Sequence, residues 1–196
     1  MPIHPSVWTK GDYMKKTLKL IMVTVMLVAT TSACAGGSGT YGRDTSLPTV
    51  KNVSLKAYVG QWYAVTSLPQ FFTRRCVAQE AVYTLNSSTE IGVRNICTRK
   101  NGKRTDIKGF AKATNVSGVL ALKFTSGLAG FFGASGDYNI IKLDPEYKYA
   151  LIGGKDRKSL WLLSRTKTIS ASVYSAYIGR AKDLGFNVSK LVDSKF

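Results

Sequence analysis

The stretch "DYNIIKLDPEYKYALIGGKDRKSLWLLSRT" (Asp137–Thr166) sets the reading of the fold. It holds three short apolar runs, Asp137–Leu143, Lys148–Gly154 and Ser159–Arg165, separated by polar clusters with Pro145, Asp144, Gly154 and Asp156. Runs of this length, rich in Ile, Leu, Tyr and Trp and joined by hairpin-sized connections, predict antiparallel strands. Working towards the N-terminus, the same punctuation bounds Gly60–Leu68, Ala78–Leu85, Ile91–Thr98, Thr105–Thr114 and Val119–Ser126. That makes eight short strands with no long helix between them before residue 166, which argues for an all-β sandwich or meandering barrel and against a parallel α/β sheet. Leu120, Leu122 and Phe124 alternate with Ala121 and Lys123, as a half-solvated strand requires. Ile140-Ile141 is apolar on both faces and leaves inward parity open.

One helix follows. Ser170 is a capping residue, Val173, Tyr177, Ala181 and Leu184 form a stripe at spacings of four and three, and Gly185 stands at the natural C′ position. The stripe predicts packing on the outside of the sheet. A short final strand is expected in "NVSKLV" (Asn187–Val192).

The chain has 196 residues and a net charge of +17. Residues 1–33 contribute four lysines and one aspartate, leaving 24 basic and 10 acidic residues in the remainder. A positive surface attracts nucleic acid and anionic lipid alike, but the cations are scattered and no segment interleaves them with aromatics as a nucleic-acid groove would. No nucleic-acid partner is therefore expected. The sole histidine, His4, lies in the leader, so a Ser-His-Asp triad and a His-ligated metal are not expected in a processed chain. No metal, cofactor or catalytic residue is assigned.

From Met14 the sequence "MKKTLKLIMVTVMLVATTSAC" has a basic start, an apolar run of ten residues over Leu20–Ala29 and a small-residue end at Cys34. This is the layout of a secretory signal peptide, with Met14 the expected true start. Thr31-Ser32-Ala33 before Cys34 resembles a bacterial lipobox, with Thr where Leu is commonest. That resemblance implies acylation of Cys34 (diacylglycerol and palmitate-type chains), a leader over residues 1–33 and a flexible tether over 34–54. Ala35, rather than Asp, after the cysteine implies sorting to the outer membrane. Ala33-Cys34-Ala35 also reads as an ordinary cleavage site, which would give a periplasmic or secreted protein instead.

In an oxidising compartment Cys76 and Cys97 are free to close a disulfide, near the open ends of a hairpin turning at Asn86-Ser87-Ser88. The alternative is two thiols, with Arg74 and Arg75 beside Cys76 able to stabilise a thiolate.

Three patches lend the meander an identity. "YVGQWYAV" carries Gly60 and Trp62 of the lipocalin G-x-W motif; "LDPEYKYALIGG" carries Tyr147, Tyr149 and Ala150 of the second motif; "LWLLSRT" carries Arg165 of the third. With the C-terminal helix correctly spaced, residues 55–196 resemble the lipocalins, and within them the lipid-anchored outer-membrane lipocalins of bacteria. The resemblance implies an eight-stranded up-and-down barrel with Trp62 at its closed end and Arg165 packed across it. It implies a carrier rather than an enzyme, taking a fatty acid, lysophospholipid or similar amphiphile. Alternate strand residues would line the interior: Ala64, Thr66, Ala81, Tyr83, Val93, Leu122, Phe124, Tyr138, Ile140, Tyr149 and Trp161. "SGLAGFFGASG" (Ser126–Gly136) reads either as a lip at the mouth or as a segment whose Phe131 and Phe132 pack inward.

Overall fold

A computed structural model describes residues 47–127 and 135–196. The leader, Cys34, most of the expected tether and the Phe131-Phe132 segment lie outside the described residues. A single turn of helix, α1 (Leu55–Tyr58), opens the domain; Ser54 caps it by accepting from Ala57 N. Eight strands follow: β1 (Gly60–Ser67), β2 (Cys76–Ser87), β3 (Glu90–Arg99), β4 (Arg104–Ala113), β5 (Val119–Phe124), β6 (Ser135–Leu143), β7 (Tyr149–Gly153) and β8 (Leu160–Ser164). Each pairs antiparallel with its successor. β1 also pairs with β8, from Tyr63↔Ser164 to Ser67↔Trp161, and this closes the barrel. Closure removes free edges, which otherwise template aggregation.

Parity along the strands decides what faces the interior. Trp62, Ala64, Ala81, Tyr83, Ile91, Val93, Ala111, Leu120, Ile140, Ala150, Ile152 and Leu163 form one buried cluster inside the barrel. A second cluster lies under the helix α2 (Ala171–Asp183), where Tyr177 and Ala181 cover Ile141, Leu151, Leu160 and Leu162 on the outer wall. Ser170 Oγ accepts from Val173 N, and Gly185 takes φ +84° just past the helix, as its sequence position predicts.

Besides two register shifts at the ends of the β2–β3 pairing, two bulges break the simple alternation within the wall. The β1–β8 register shifts between Ala64 and Thr66, so Val65 is an extra residue and the inward parity passes from Ala64 to Ser67. In β6 the shift lies between Ile140 and Lys142; Ile140 points in, and Ile141 joins the cluster under the helix.

The C-terminus differs from its expected single strand. Val188–Lys190 is a 3₁₀ turn, and only Val192–Asp193 (β9) is extended. β9 pairs with Thr66 and Ser67 of β1, Ser194 N donates to Val65 O, and Lys195 N donates to Val77 O. The tail thus sits between β1 and β2 where their own pairing, recorded over Gly60–Tyr63, has ended. The expected tether is also shortened. Leu47 is buried with Leu68 and Ile141, Val50 N donates to Ile140 O, and Thr49 Oγ1 donates to Ser117 O. Residues 47–54 therefore belong to the packed domain, because their backbone polar groups are taken up by the barrel.

Cys76 and Cys97 are joined in a disulfide with Cα atoms 5.3 Å apart, tying the start of β2 to the end of β3. The pair is 21 residues apart in sequence, and closing a loop of that length stabilises by about 3 kcal/mol in the chain-entropy view. Replacing both cysteines by alanine is expected to lower the unfolding free energy by roughly that amount, measured by urea titration; an unchanged midpoint would contradict it.

Candidate ligand-binding site

The floor of the barrel is built around Trp62, which is fully buried. Its indole Nε1 donates to Tyr58 O at 2.8 Å. The guanidinium of Arg165 lies over the ring, 3.7 Å from its centroid. The same group donates through Nη1 to Gln61 O (2.8 Å), through Nη2 to Ala57 O (3.1 Å) and Tyr58 O (3.2 Å), and through Nε to Tyr147 O (3.1 Å). One planar fork thus binds the end of α1, the start of β1 and the β6–β7 turn. Arginine does this where lysine cannot, because its donors are fixed in one plane. Gly60 fits the same logic twice over: its φ is +102°, and a Cβ there would lie 3.2 Å from Arg165 Nη1.

Above the floor stand three phenols, Tyr58 and Tyr83 buried and Tyr138 partly so. Tyr58 Oη is 2.8 Å from Tyr138 Oη, and Tyr83 Oη is 3.0 Å from the same atom. Tyr58 and Tyr83 stack with centroids 5.7 Å apart, and Tyr138 meets both edge-on. Burial pushes the Tyr83 phenol up to about 12. Burial likewise holds Tyr58 and Tyr138 well above the ordinary tyrosine value; Tyr58 and Tyr83 add to the rise at Tyr138, whereas at Tyr58 the Tyr83 phenol adds to it and the Tyr138 hydrogen bond opposes it. All three are neutral hydroxyls at any physiological pH.

Toward the mouth the polarity changes from phenol to amide. Trp161 Nε1 donates to Gln79 Oε1 at 3.2 Å, and Gln79 Nε2 donates to Ser67 Oγ at 3.0 Å. Around these groups the lining is aliphatic and aromatic, and no charged residue is among the buried ones described. Chemically, the interior face offers apolar contacts, with uncharged donors and acceptors at two levels.

Of the residues predicted to face inward, Ala64, Ala81, Tyr83, Val93 and Ile140 lie in the interior cluster, with Leu122, Tyr138 and Trp161 packed against it. Phe124 is half-buried and continues the face of Leu120 and Leu122. Two placements are corrected. Thr66 lies on the outer wall, opposite Leu162 and Asp193, because the bulge at Val65 reverses the parity. Tyr149 also faces out, its ring 6.1 Å from Tyr177 of the helix, because Ala150 and Ile152 take the inward positions of β7. Tyr58, Gln79 and Ser67 were missed. Gln79 carries a usable signal, standing two residues before Ala81 on the same face, and Tyr58 stands four before Trp62.

A family comparison places this geometry: the model of the lipocalin-like domain matches residues 53–195. The chain is a lipocalin. It is 37% identical over 147 residues to temperature-induced lipocalin-1 of Arabidopsis thaliana, covering 72% of this chain and 78% of that protein. It is 37% identical over 145 residues to the outer membrane lipoprotein Blc of Escherichia coli, covering 73% and 79%. Among solved structures, insecticyanin of the tobacco hornworm Manduca sexta aligns with a TM-score of 0.62 at 17% identity, covering 77% of this chain and 85% of that one. That level of identity speaks for the fold alone.

The lipocalin floor yields two expectations. Trp62→Ala is expected to cost about 3–5 kcal/mol, the range for removing a buried large aromatic, and its urea midpoint should fall accordingly. The interior phenols give a pH dependence. Their folded values lie above the unfolded value near 10, so the stability they contribute is complete below pH 10 and is lost as pH rises through the folded values. Absorbance at 295 nm is expected to show phenols that ionise in this range only as the protein unfolds. Free ionisation of all eight tyrosines of residues 47–196 in the native barrel at pH 11 would refute the buried cluster.

Proposed function

We propose that this lipocalin binds a single-chain amphiphile, a fatty acid or lysophospholipid, within the barrel and carries it at the bacterial outer membrane, to which acylated Cys34 fastens it. The observation that carries the ligand reading is the barrel interior: apolar walls, no charged residue among the buried ones described, and neutral hydroxyl and amide groups at two depths. An acyl chain loses its contact with water there at about 0.8 kcal/mol per methylene buried. Similarity to Blc, an outer membrane lipoprotein by name, supports the location, as does the basic-apolar-small-Cys order of the leader. Several acyl chains on one cysteine anchor far more firmly than one. A carrier rather than an enzyme fits the site as well, since Cys76, the one candidate nucleophile, is spent in the disulfide.

The test is displacement of a fluorescent fatty acid by palmitate and by lysophosphatidylcholine. Micromolar or tighter displacement is expected, and Leu122→Trp, which places a bulky ring in the lumen, should weaken it at least tenfold without lowering the melting temperature. No displacement by any acyl amphiphile would overturn the ligand reading. Mass spectrometry of the processed protein checks the anchor separately: a diacylglycerol-modified, N-acylated Cys34 is expected, whereas an N-terminus at Gly36 would make the protein a secreted lipocalin.

A further inference from the structure

The antiparallel meander puts the β1–β2, β3–β4 and β7–β8 connections at one end of the barrel, opposite the Trp62 floor. This end differs from the other in charge. Residues 68–76, 99–104 and 154–159 hold nine Lys and Arg and one acid, Asp156. The opposite connections, 86–90, 114–118 and 144–148, hold Glu90, Asp144 and Glu146 against a single Lys148. The basic end also carries the largest exposed apolar side chains among the described residues: Phe71 is 78% and Phe72 65% exposed.

The phenylalanines are held outward. Thr73 N donates to Gln70 O and Cys76 N to Thr73 O, and the disulfide fixes the end of the loop. Gln70 Nε2 donates to Lys158 O at 2.8 Å, which ties this loop to the β7–β8 connection. Arg74 lies over the Phe71 ring, 4.4 Å from its centroid, so a cation and an aromatic project together. Arg75, Lys100, Lys103 and Lys158 are exposed on connections at the same end.

We infer that this end is a membrane-docking face: Phe71 and Phe72 insert below the headgroups of an anionic phospholipid bilayer while Arg74, Arg75, Lys100, Lys103 and Lys158 engage the phosphates. A bilayer is the occupant whose chemistry has both halves of the pattern, negative charge at its surface and hydrocarbon beneath. Exposed aromatics and cations presented together on one face are how interfacial anchors are arranged. Docked this way, the barrel mouth opens onto the acyl region, and an amphiphile passes between lumen and bilayer with little exposure to water. The inference rests on the proposed function for the cargo but not for the contact itself.

The test uses the mature chain with Cys34→Ser, which removes acylation, and flotation with phosphatidylcholine vesicles with or without 30% phosphatidylglycerol. Binding is expected to the anionic vesicles alone and to fall steeply between 50 and 500 mM salt. Phe71→Ser/Phe72→Ser should reduce partitioning at least tenfold while leaving displacement of a fluorescent fatty acid in solution unchanged. Arg75→Glu/Lys100→Glu should do the same, and Lys51→Glu/Lys56→Glu at the closed end should not. Phe72→Trp should shift its emission to the blue on adding anionic vesicles. Equal partitioning of the Phe71→Ser/Phe72→Ser chain, or no blue shift, would overturn the inference. So would a concentration-dependent shift without vesicles, which would make the face a contact between two copies. Tight binding to single-stranded oligonucleotide with no vesicle binding would overturn it too. Vesicle docking with no fatty-acid affinity would leave this face standing and remove the carrier reading.

Discussion

The guanidinium of Arg165 is the joint on which the closed end depends. It sits on the Trp62 face and donates to four carbonyls drawn from α1, β1 and the β6–β7 turn. A cation against a desolvated aromatic face is worth about 2 kcal/mol, but its larger effect is geometric. Gly60 must lack a side chain to let the fork in, and Tyr147 adopts φ +59° in the turn whose carbonyl it receives. Tyr58 is then placed by its own carbonyl, which takes both the indole N–H and an arginine N–H. The phenol cluster above the floor is consequently positioned from below.

Much of this was legible in the sequence, and the reasons differ from place to place. The eight strands were found within about two residues because each run is apolar and bounded by turn formers; "YKYALIGG" and "SLWLLSR" are examples. The helix was legible from a capping Ser170 to a left-handed Gly185. The G-x-W and Arg165 patches named the closed end because the contact between them permits few substitutions. What failed was parity next to a bulge. "AVTS" alternates equally well with Thr66 in or out, and only the register against β8 shows that Val65 is the extra residue. Tyr149 failed for a different reason: both β7 faces are buried, one by the lumen and one by the helix, so hydrophobicity does not distinguish them. Leu47–Ser54 has no periodicity, and its order comes from contacts with Ser117 and Ile140 that are distant in sequence.

The two ends of the barrel divide the work. The closed end is held by buried, directional contacts. The open end is held by a disulfide, a tail strand between β1 and β2, and a side-chain bond between neighbouring loops. None of those fastenings crosses the lumen floor, so the rim has its own supports. This arrangement allows the mouth to vary in sequence and charge without disturbing the Trp62 joint.

The phenol cluster has a property that follows from counting protons. Tyr58, Tyr83 and Tyr138 bring three hydroxyl hydrogens, and their two mutual contacts use only two. Either partner can donate in each contact, so the chain of hydroxyls can be ordered in more than one direction. One hydrogen is left over in every arrangement, along with unused lone pairs. The cluster is therefore a reversible dipole: it can turn a donor or an acceptor toward whatever polar group approaches, at the cost of reordering hydroxyl hydrogens and without breaking its own framework.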